Sequence, residues 1–228
     1  MLCLFGLQTV MNAQTSPWSI GVLAGGKTIK NLFVYDYGVT FTESSSNGKR
    51  LSIEVGYRTS GPLLEQNWGK YPMKMETNIC SFLGGVNYQW FPFVACKREV
   101  KSNFLKSLKL KTGFWYVGNP VYEFNASLAN PVTWGSITFT TEEVGSIATT
   151  ITTDKIQPYL GIGYDRFYVG RRTNIVLEGG LLYQGKPEVT MVATNMLVQS
   201  SELGPIFQNN LGDYQFIPFL QLQLQIRL

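Results

Sequence analysis

The sequence predicts an all-β protein: a closed, eight-stranded, antiparallel, up-and-down transmembrane β-barrel with long extracellular loops. Apolar and polar residues alternate in eight separate segments. Charged residues make up only 15% of the 228 residues, whereas aromatic residues make up 14%. The uncharged stretch 77–96 contains glycine, proline and amides that a lipid-facing helix disfavours. A membrane protein built from this chain therefore has to cross with strands.

The eight predicted strands are separated by segments rich in Gly, Pro, Asn and Ser. Successive side chains of a strand point to opposite faces, so each segment has one apolar and one polar face. The last strand is the clearest, because Gln221, Gln223 and Gln225 alternate with leucines. The predicted strands span residues 18–25, 33–42, 50–59, 75–90, 107–117, 156–166, 174–184 and 216–228.

Charges keep to the polar faces of the predicted strands. Buried charges are tolerated only when they are paired, and four residues of each sign suit a closed lumen. We therefore predict a structural lumen network of Asp36, Glu54, Asp165 and Glu178 with Arg58, Lys109, Lys111 and Arg227.

Aromatic residues of the apolar faces gather at strand ends, as the two interfaces of a bilayer require. With the N-terminus on the periplasmic side, one predicted girdle contains Trp18, Phe41, Tyr88, Trp90 and Tyr164, and the other contains Phe33, Tyr57, Phe114, Tyr116, Tyr183 and Phe216.

The connections between predicted strands differ in length on the two sides. Segments 60–74, 118–155 and 185–215 are assigned to the outside, and segments 43–49, 91–106 and 167–173 to the periplasm. Long connections outside and short ones inside are typical of outer-membrane barrels, and the sixteen-residue segment 91–106 departs from this asymmetry. Within the outer segments, 135–153 predicts a β-hairpin beyond the membrane, and 195–211 predicts a short helix interrupted at Pro205.

The first residues predict export. An apolar run from Leu2 to Val10 precedes a small-residue site near Ala13, so residues 1–14 are predicted to be a residual signal peptide and 15–228 the barrel domain. The three cysteines lie in unrelated segments and predict no disulfide.

Two stretches carry a resemblance to known proteins: QPYLGIGY from Gln157 to Tyr164, and LEGGLLYQGKP from Leu177 to Pro187. With the strand-like C-terminus, they make the chain resemble small outer-membrane β-barrel proteins of the OmpA, OmpX and OmpW type. The resemblance covers residues 156–228 well and 51–92 more loosely. It implies an eight-strand barrel in the outer membrane of a Gram-negative bacterium. Such barrels usually end in an aromatic residue, whereas this chain ends in Leu228.

Composition excludes several function classes. The chain has no histidine, so the commonest general base and metal ligand are missing, and we predict no enzymatic activity, no metal and no cofactor. A net charge of +4 without a long basic run argues against nucleic acid. The expected partners are outer-membrane lipid and lipopolysaccharide, with an extracellular or envelope protein at the outer loops, and the chain is expected to be a monomer.

Three functions remain open at this point. The first is a non-enzymatic, structural or surface-binding barrel, because eight strands leave room only for side chains or one small ligand. The second is a narrow conduit for small hydrophobic molecules. The third is a soluble lipocalin-like carrier, which also alternates but keeps its apolar face inward.

Overall fold

The computed structural model describes residues 18–29, 32–44, 48–60, 66–68, 71–95, 103–168 and 172–228. The predicted signal peptide, residues 1–14, lies outside this part of the chain, as do Cys3 and Cys96. The strands are β1 (Trp18–Ile29), β2 (Leu32–Ser44), β3 (Lys49–Ser60), β4 (Gln66–Trp68), β5 (Tyr71–Asn78), β6 (Cys80–Trp90), β7 (Leu108–Val117), β8 (Val121–Leu128), β9 (Val132–Trp134), β10 (Ile137–Phe139), β11 (Ser146–Thr152), β12 (Ile156–Tyr168), β13 (Thr173–Tyr183), β14 (Glu188–Ala193) and β15 (Phe216–Arg227).

Eight of these strands form a closed antiparallel barrel in the order β1-β15-β13-β12-β7-β6-β3-β2. Each wall strand pairs with the wall strands that precede and follow it along the chain, and β1 closes the barrel against β15 through pairs such as Val22 with Leu224. The predicted all-β, eight-stranded, up-and-down barrel is confirmed. Closure leaves the wall without an exposed edge, which a lipid environment requires.

The wall keeps apolar side chains outside and polar side chains inside. Along β15, exposed Leu222 and Leu224 alternate with buried Gln221 and Gln223. The exposed Leu222 is 51% accessible, whereas Gln223 is 1% accessible. This arrangement is the inverse of a soluble domain and matches a barrel whose outer face meets lipid. It is also the inverse of a lipocalin-like carrier.

The fourth predicted strand, residues 75–90, is corrected by the structure. It is divided at Ile79 into β5 and β6, and only β6 belongs to the barrel wall. β5 enters a five-stranded sheet of order β14-β11-β8-β5-β4, which we call the distal sheet. β5, β8, β11 and β14 lie next to wall strands in sequence, so each of the three long outer connections contributes strands to the distal sheet.

The predicted hairpin within 135–153 is wrong in its pairing. β10 pairs with β9, for example Ile137 with Trp134, whereas β11 pairs with β8 and β14. Both parts of the segment do form strands, β10 and β11, but each pairs with a strand outside the segment.

Helices occupy only connections. Short α-helices span Pro92–Ala95, Asn103–Ser107 and Thr141–Val144. A 3₁₀-helix spans Asn195–Leu203, and an α-helix spans Gly204–Gly212. The predicted interruption near Pro205 is present as the change of helix type at Gly204, and Pro205 lies in the first turn of the α-helix, where a missing N–H is tolerated. None of the helices in the described ranges is long and apolar enough to cross a membrane.

An apolar cluster joins the distal sheet to the barrel mouth. It contains Val34 of the wall, Ile79, Tyr122 and Ile151 of the distal strands and their junction, and Leu211 of the last helix. All five side chains are buried, and Phe124, Val189, Phe207 and Tyr214 pack against them. The mouth of the barrel is therefore covered at this end, which we call the distal end.

Candidate functional site

The charged lumen is the candidate site, and its centre is a four-residue ionic cluster. The Lys111 ammonium lies 2.6 Å from Glu54 Oε1 and 2.7 Å from Glu178 Oε2. Lys109 forms a second ion pair with Glu178. Gln223 Nε2 donates to Glu178 Oε2 over 3.2 Å. All four charged side chains are buried, so each charge is compensated within the wall itself.

A glycine makes room for the contact between Lys109 and Glu178. Lys109 on β7 and Glu178 on β13 both face Gly163 on the intervening strand β12. A Cβ at Gly163 would lie 2.7 Å from Lys109 Cε and 3.1 Å from Glu178 Cγ. The lysine can reach its carboxylate only because this position has no side chain. The contacts at Gly163 agree with the general use of glycine where side chains crowd a narrow barrel.

An aromatic layer lies between the central cluster and the distal end. Trp115, Tyr159, Leu182 and Phe219 form a buried cluster with Trp115–Tyr159 ring centroids 4.8 Å apart and Tyr159–Phe219 centroids 5.6 Å apart. Trp115 Nε1 donates to Glu54 Oε2 over 2.9 Å. The aromatic layer is therefore hydrogen-bonded to the ionic cluster and fills the bore on its distal side.

At the distal mouth, Arg58 and Asp36 form a bidentate ion pair. Arg58 Nε lies 2.8 Å from Asp36 Oδ1, and Nη2 lies 3.2 Å from Oδ2. Arg58 Nη1 donates to the Tyr122 hydroxyl over 3.3 Å. Burial raises the pKa of the Tyr122 hydroxyl, but the positive charges of Lys27 and Arg58 outweigh it and leave the pKa below its ordinary value. Tyr122 belongs to the distal sheet, so this contact links that sheet to the lumen.

At the opposite end, Asp165 forms an ion pair with Arg50 and accepts a hydrogen bond from the Asn174 amide. Gln89 bridges this end to the centre, because its amide accepts from Lys109 over 2.9 Å and donates to Ser52 over 2.8 Å. Arg227, the last charge of the predicted network, is half-buried at the end of β15.

The charge balance inferred from the sequence was incomplete. The structure brings the eight predicted lumen charges to the inner face and adds Lys27 and Arg50. Lys27 lay beyond the predicted end of β1, and Arg50 was the first residue of the predicted third strand. Lys27 lies two residues after Gly25, and Arg50 lies two residues before Ser52, so each faces the lumen like that neighbour. Alternation would therefore have placed both cations in the lumen once the full length of the strands was known. Six cations therefore face four carboxylates among the described lumen residues.

The residues of the predicted aromatic girdles point outward where their side chains are described. The strand ends opposite the distal sheet carry Trp18, Phe41, Tyr88, Trp90 and Tyr164. The distal strand ends carry Tyr57, Phe114, Tyr116, Tyr183 and Phe216. Phe33 lies in β2, but its side chain is outside the described part.

Other chemistry is sparse in the described ranges. They contain no group of three or more histidine, cysteine, aspartate or glutamate side chains that could hold a metal ion. Cys80 is a free, exposed cysteine whose sulfur accepts a hydrogen bond from the Tyr57 hydroxyl over 2.7 Å.

Two crystal structures share this architecture. The chain is similar to Acinetobacter baumannii CarO, with a TM-score of 0.60 and 14% sequence identity over 95% of this chain and 100% of that chain. It is also similar to Acinetobacter baumannii CarO2, with a TM-score of 0.60 and 16% identity over 92% of this chain and 98% of that chain. Likeness at this level of identity establishes the fold alone.

No protein-family model and no curated protein matches the chain. The predicted outer-membrane β-barrel fold is confirmed by the closed eight-strand wall and by these two structures. A closed barrel with an apolar outer band and a polar interior belongs in the outer membrane of a Gram-negative cell.

Proposed function

We propose that this chain is a non-enzymatic outer-membrane barrel that holds its distal sheet at the cell surface for binding. The observation that carries the proposal is the contrast between the two faces of that sheet. Its inner face packs over the covered mouth through Tyr122 and Ile151. Its outer face leaves Lys74, Glu76 and Asn125 exposed and uncovered.

The packed lumen supports a binding role over a transport role. Ion pairs at three levels and the aromatic layer occupy the bore. One cavity lined by described lumen residues measures about 20 Å³, which holds about one water molecule. A conduit for small hydrophobic molecules would need a continuous path, and no observation favours that alternative.

The lysines of the lumen support the absence of catalysis. Lys109 and Lys111 are both held in ion pairs with carboxylates. An amino group engaged by carboxylates is not available as a base for a serine nucleophile. Without histidine, the chain offers no other recognisable pair of nucleophile and base.

The outer face of the distal sheet carries contacts between its own polar side chains. Asn78 Nδ2 donates to Glu123 across β5 and β8 over 3.2 Å, and Lys74 pairs with Glu76 along β5 over 2.6 Å. The outer face thus presents ordered polar groups of both signs. Such a face suits a polar partner, either the saccharide of lipopolysaccharide or an envelope or extracellular protein.

Site-specific photo-crosslinking in living cells tests this proposal. A photo-reactive residue is placed at Asn125 or Thr190 on the outer face, and at the lipid-facing Leu222 as the control. We expect the outer positions to give a discrete product carrying saccharide or protein, and Leu222 to give only lipid products. Identical product patterns at all three positions would overturn the binding role.

Planar bilayer recordings test the sealed lumen separately. Purified, folded protein is added to the bilayer and the current is recorded at increasing voltage. We expect no stable conductance steps, because every level of the bore is occupied. Large, stable steps would show a conduit and reject the proposal.

A further inference from the structure

The connection between β6 and β7 lies at the strand ends opposite the distal sheet, which we call the proximal rim. It is longer than the turns that are usual at this end of an outer-membrane barrel, and its described parts include the helices Pro92–Ala95 and Asn103–Ser107. Phe91, which precedes the first helix, is 4% exposed, and its N–H donates to the Gly48 carbonyl over 2.8 Å. The Arg50 guanidinium lies 4.4 Å from the centroid of the Phe91 ring. The start of the connection is therefore packed against the barrel.

The second helix of the connection lies on the outer surface of the wall. The ring of Phe104 packs against the ring of Tyr164 in β12, with the centroids 5.2 Å apart. Tyr164 belongs to the outward-facing aromatic girdle of the proximal rim, so Phe104 lies on the lipid side of the barrel. Phe104 nevertheless stays 57% exposed, and Val94 of the first helix stays 48% exposed. Apolar side chains exposed at a membrane interface gain stability by entering lipid.

Exposed cations accompany the aromatic residues of the proximal rim. Lys106 lies two residues after Phe104 in the same helix. Lys49 is exposed at the start of β3 and pairs in register with Trp90, which faces outward. Arg172 is exposed immediately before β13. None of these three cations forms an ion pair with a described carboxylate. Their charges are therefore available to a ligand outside the chain.

The two ends of the barrel differ in the sign of their exposed charge. At the proximal rim, Glu43 is the only exposed acidic side chain among the described residues, against three exposed cations. At the distal end the order is reversed, because eight exposed acidic side chains outnumber three exposed lysines in the described ranges. The acidic residues are Glu76, Glu123, Glu142, Glu143, Asp154, Glu188, Glu202 and Asp213, and the lysines are Lys74, Lys155 and Lys186. An anionic ligand is therefore complementary to the proximal rim and not to the distal end.

We propose that the proximal rim binds the head groups of anionic phospholipids, with Lys49 and Lys106 on the lipid phosphates and Phe104 among the acyl chains. A lysine beside an interfacial aromatic residue keeps its methylene groups on the apolar surface and extends its ammonium to the head groups. Both lysines lie at the level of the aromatic girdle, which favours a membrane ligand over a soluble anionic polymer. The choice of leaflet rests on the proposed function: with the distal sheet at the cell surface, the proximal rim meets the periplasmic leaflet.

Native mass spectrometry of the folded protein in detergent micelles tests the charge preference. The protein is mixed with equal amounts of phosphatidylglycerol, which is anionic, and phosphatidylethanolamine, which is zwitterionic. We expect bound phosphatidylglycerol to be in excess, and the ratio of the two bound lipids to fall about fivefold for each of Lys49→Gln and Lys106→Gln. The control, Lys155→Gln with Lys186→Gln, removes two charges at the distal end and should leave the ratio unchanged. Equal binding of the two lipids, or equal effects of the two pairs of substitutions, would overturn the proposal.

Photo-crosslinking in vesicles gives a second readout that does not depend on the lysine variants. A photo-reactive residue replaces Phe104, and the same residue at the lipid-facing Leu222 is the control. In vesicles with a minority of phosphatidylglycerol, we expect the products at Phe104 to be enriched in that lipid relative to the products at Leu222. Identical lipid proportions at both positions would reject the site. Both leaflets of such vesicles have the same composition, so this result does not depend on which end of the barrel faces the cell surface, and it separates failure of the site from failure of the proposed function.

Discussion

Glu178 is the residue whose loss should disturb the lumen most. Its carboxylate serves two ammonium groups, Lys109 and Lys111, and accepts from Gln223. In Glu178→Gln, Lys111 keeps Glu54 at 2.6 Å, but Lys109 keeps only the neutral amide of Gln89. One buried ammonium is left without a counter-charge. Removing one partner of a buried pair costs about 3–5 kcal/mol, and we expect a loss of that size in the free energy of unfolding.

Urea unfolding from lipid vesicles, followed by tryptophan fluorescence, measures this loss. The double variant Lys109→Met with Glu178→Gln removes one charge of each sign, and the Lys111–Glu54 pair survives. We expect it to recover more than about 1 kcal/mol relative to the sum of the two single losses, since residues of one network are not additive. Glu188→Gln, at an exposed carboxylate of the distal sheet, is the matched control. The reasoning is refuted if Glu178→Gln costs no more than Glu188→Gln, or if the two lumen changes simply add.

Three further predictions concern the wall and the distal segments. Leu222→Arg on the lipid face should cost about 2–4 kcal/mol near the bilayer centre, measured by the same urea titration, whereas Leu222→Phe should be tolerated; equal stability of the two variants would contradict the assigned outer face. Gly180→Ala should prevent the heat-modifiable gel shift of the folded barrel, because a Cβ at this position meets the backbone of β12. A Cβ at Gly179 has its nearest atoms at 3.5 and 3.6 Å, so Gly179→Ala should fold. Folding of both variants would refute the close approach at Gly180. The Glu143 carboxylate accepts hydrogen bonds from the Thr140 N–H and hydroxyl, which lowers the pKa of Glu143. Its contribution to the helix Thr141–Val144 is therefore present above the ordinary glutamate pKa and is lost as pH falls through the lowered value. In an NMR titration, Thr140→Val should raise the pKa of Glu143, and an unchanged midpoint would contradict the capping contact.

The barrel wall could be predicted because its signal is local. Alternation with period two assigns each residue to a face without knowing its neighbours, and it placed Glu54, Lys111 and Glu178 on one face. The break at Ile79 escaped the same reasoning for a physical reason. Met73 and Ile79 on the distal side are buried, as is Ser81 in the lumen, and these positions are separated by even numbers of residues. The alternation of apolar and polar faces therefore continues without a break where the chain passes from the distal sheet into the wall.

Only some of the ion pairs in the lumen could be predicted from the sequence. Asp36 and Arg58 lie directly opposite each other on adjacent strands, so a hairpin register predicts that pair. The contact between Lys109 and Glu178 spans a strand, and it depends on the absence of a side chain at Gly163. The pairing of the distal sheet joins segments far apart in sequence, for example Ile151 with both Tyr122 and Val189, and alternation alone carries no information about such pairing.

The short joints between the wall and the distal sheet determine where the chain can accept inserted residues. Only Ile79 separates β5 from β6, and residues 118–120, 153–155 and 184–187 join the other distal strands to the wall. Insertions at these joints would shift the register of a wall strand. The turn between β9 and β10 is free of that constraint, because Gly135 has a φ of +65° and no atom within 4 Å of its Cβ position. Inserted peptides should therefore be accommodated at this turn without disturbing the barrel wall.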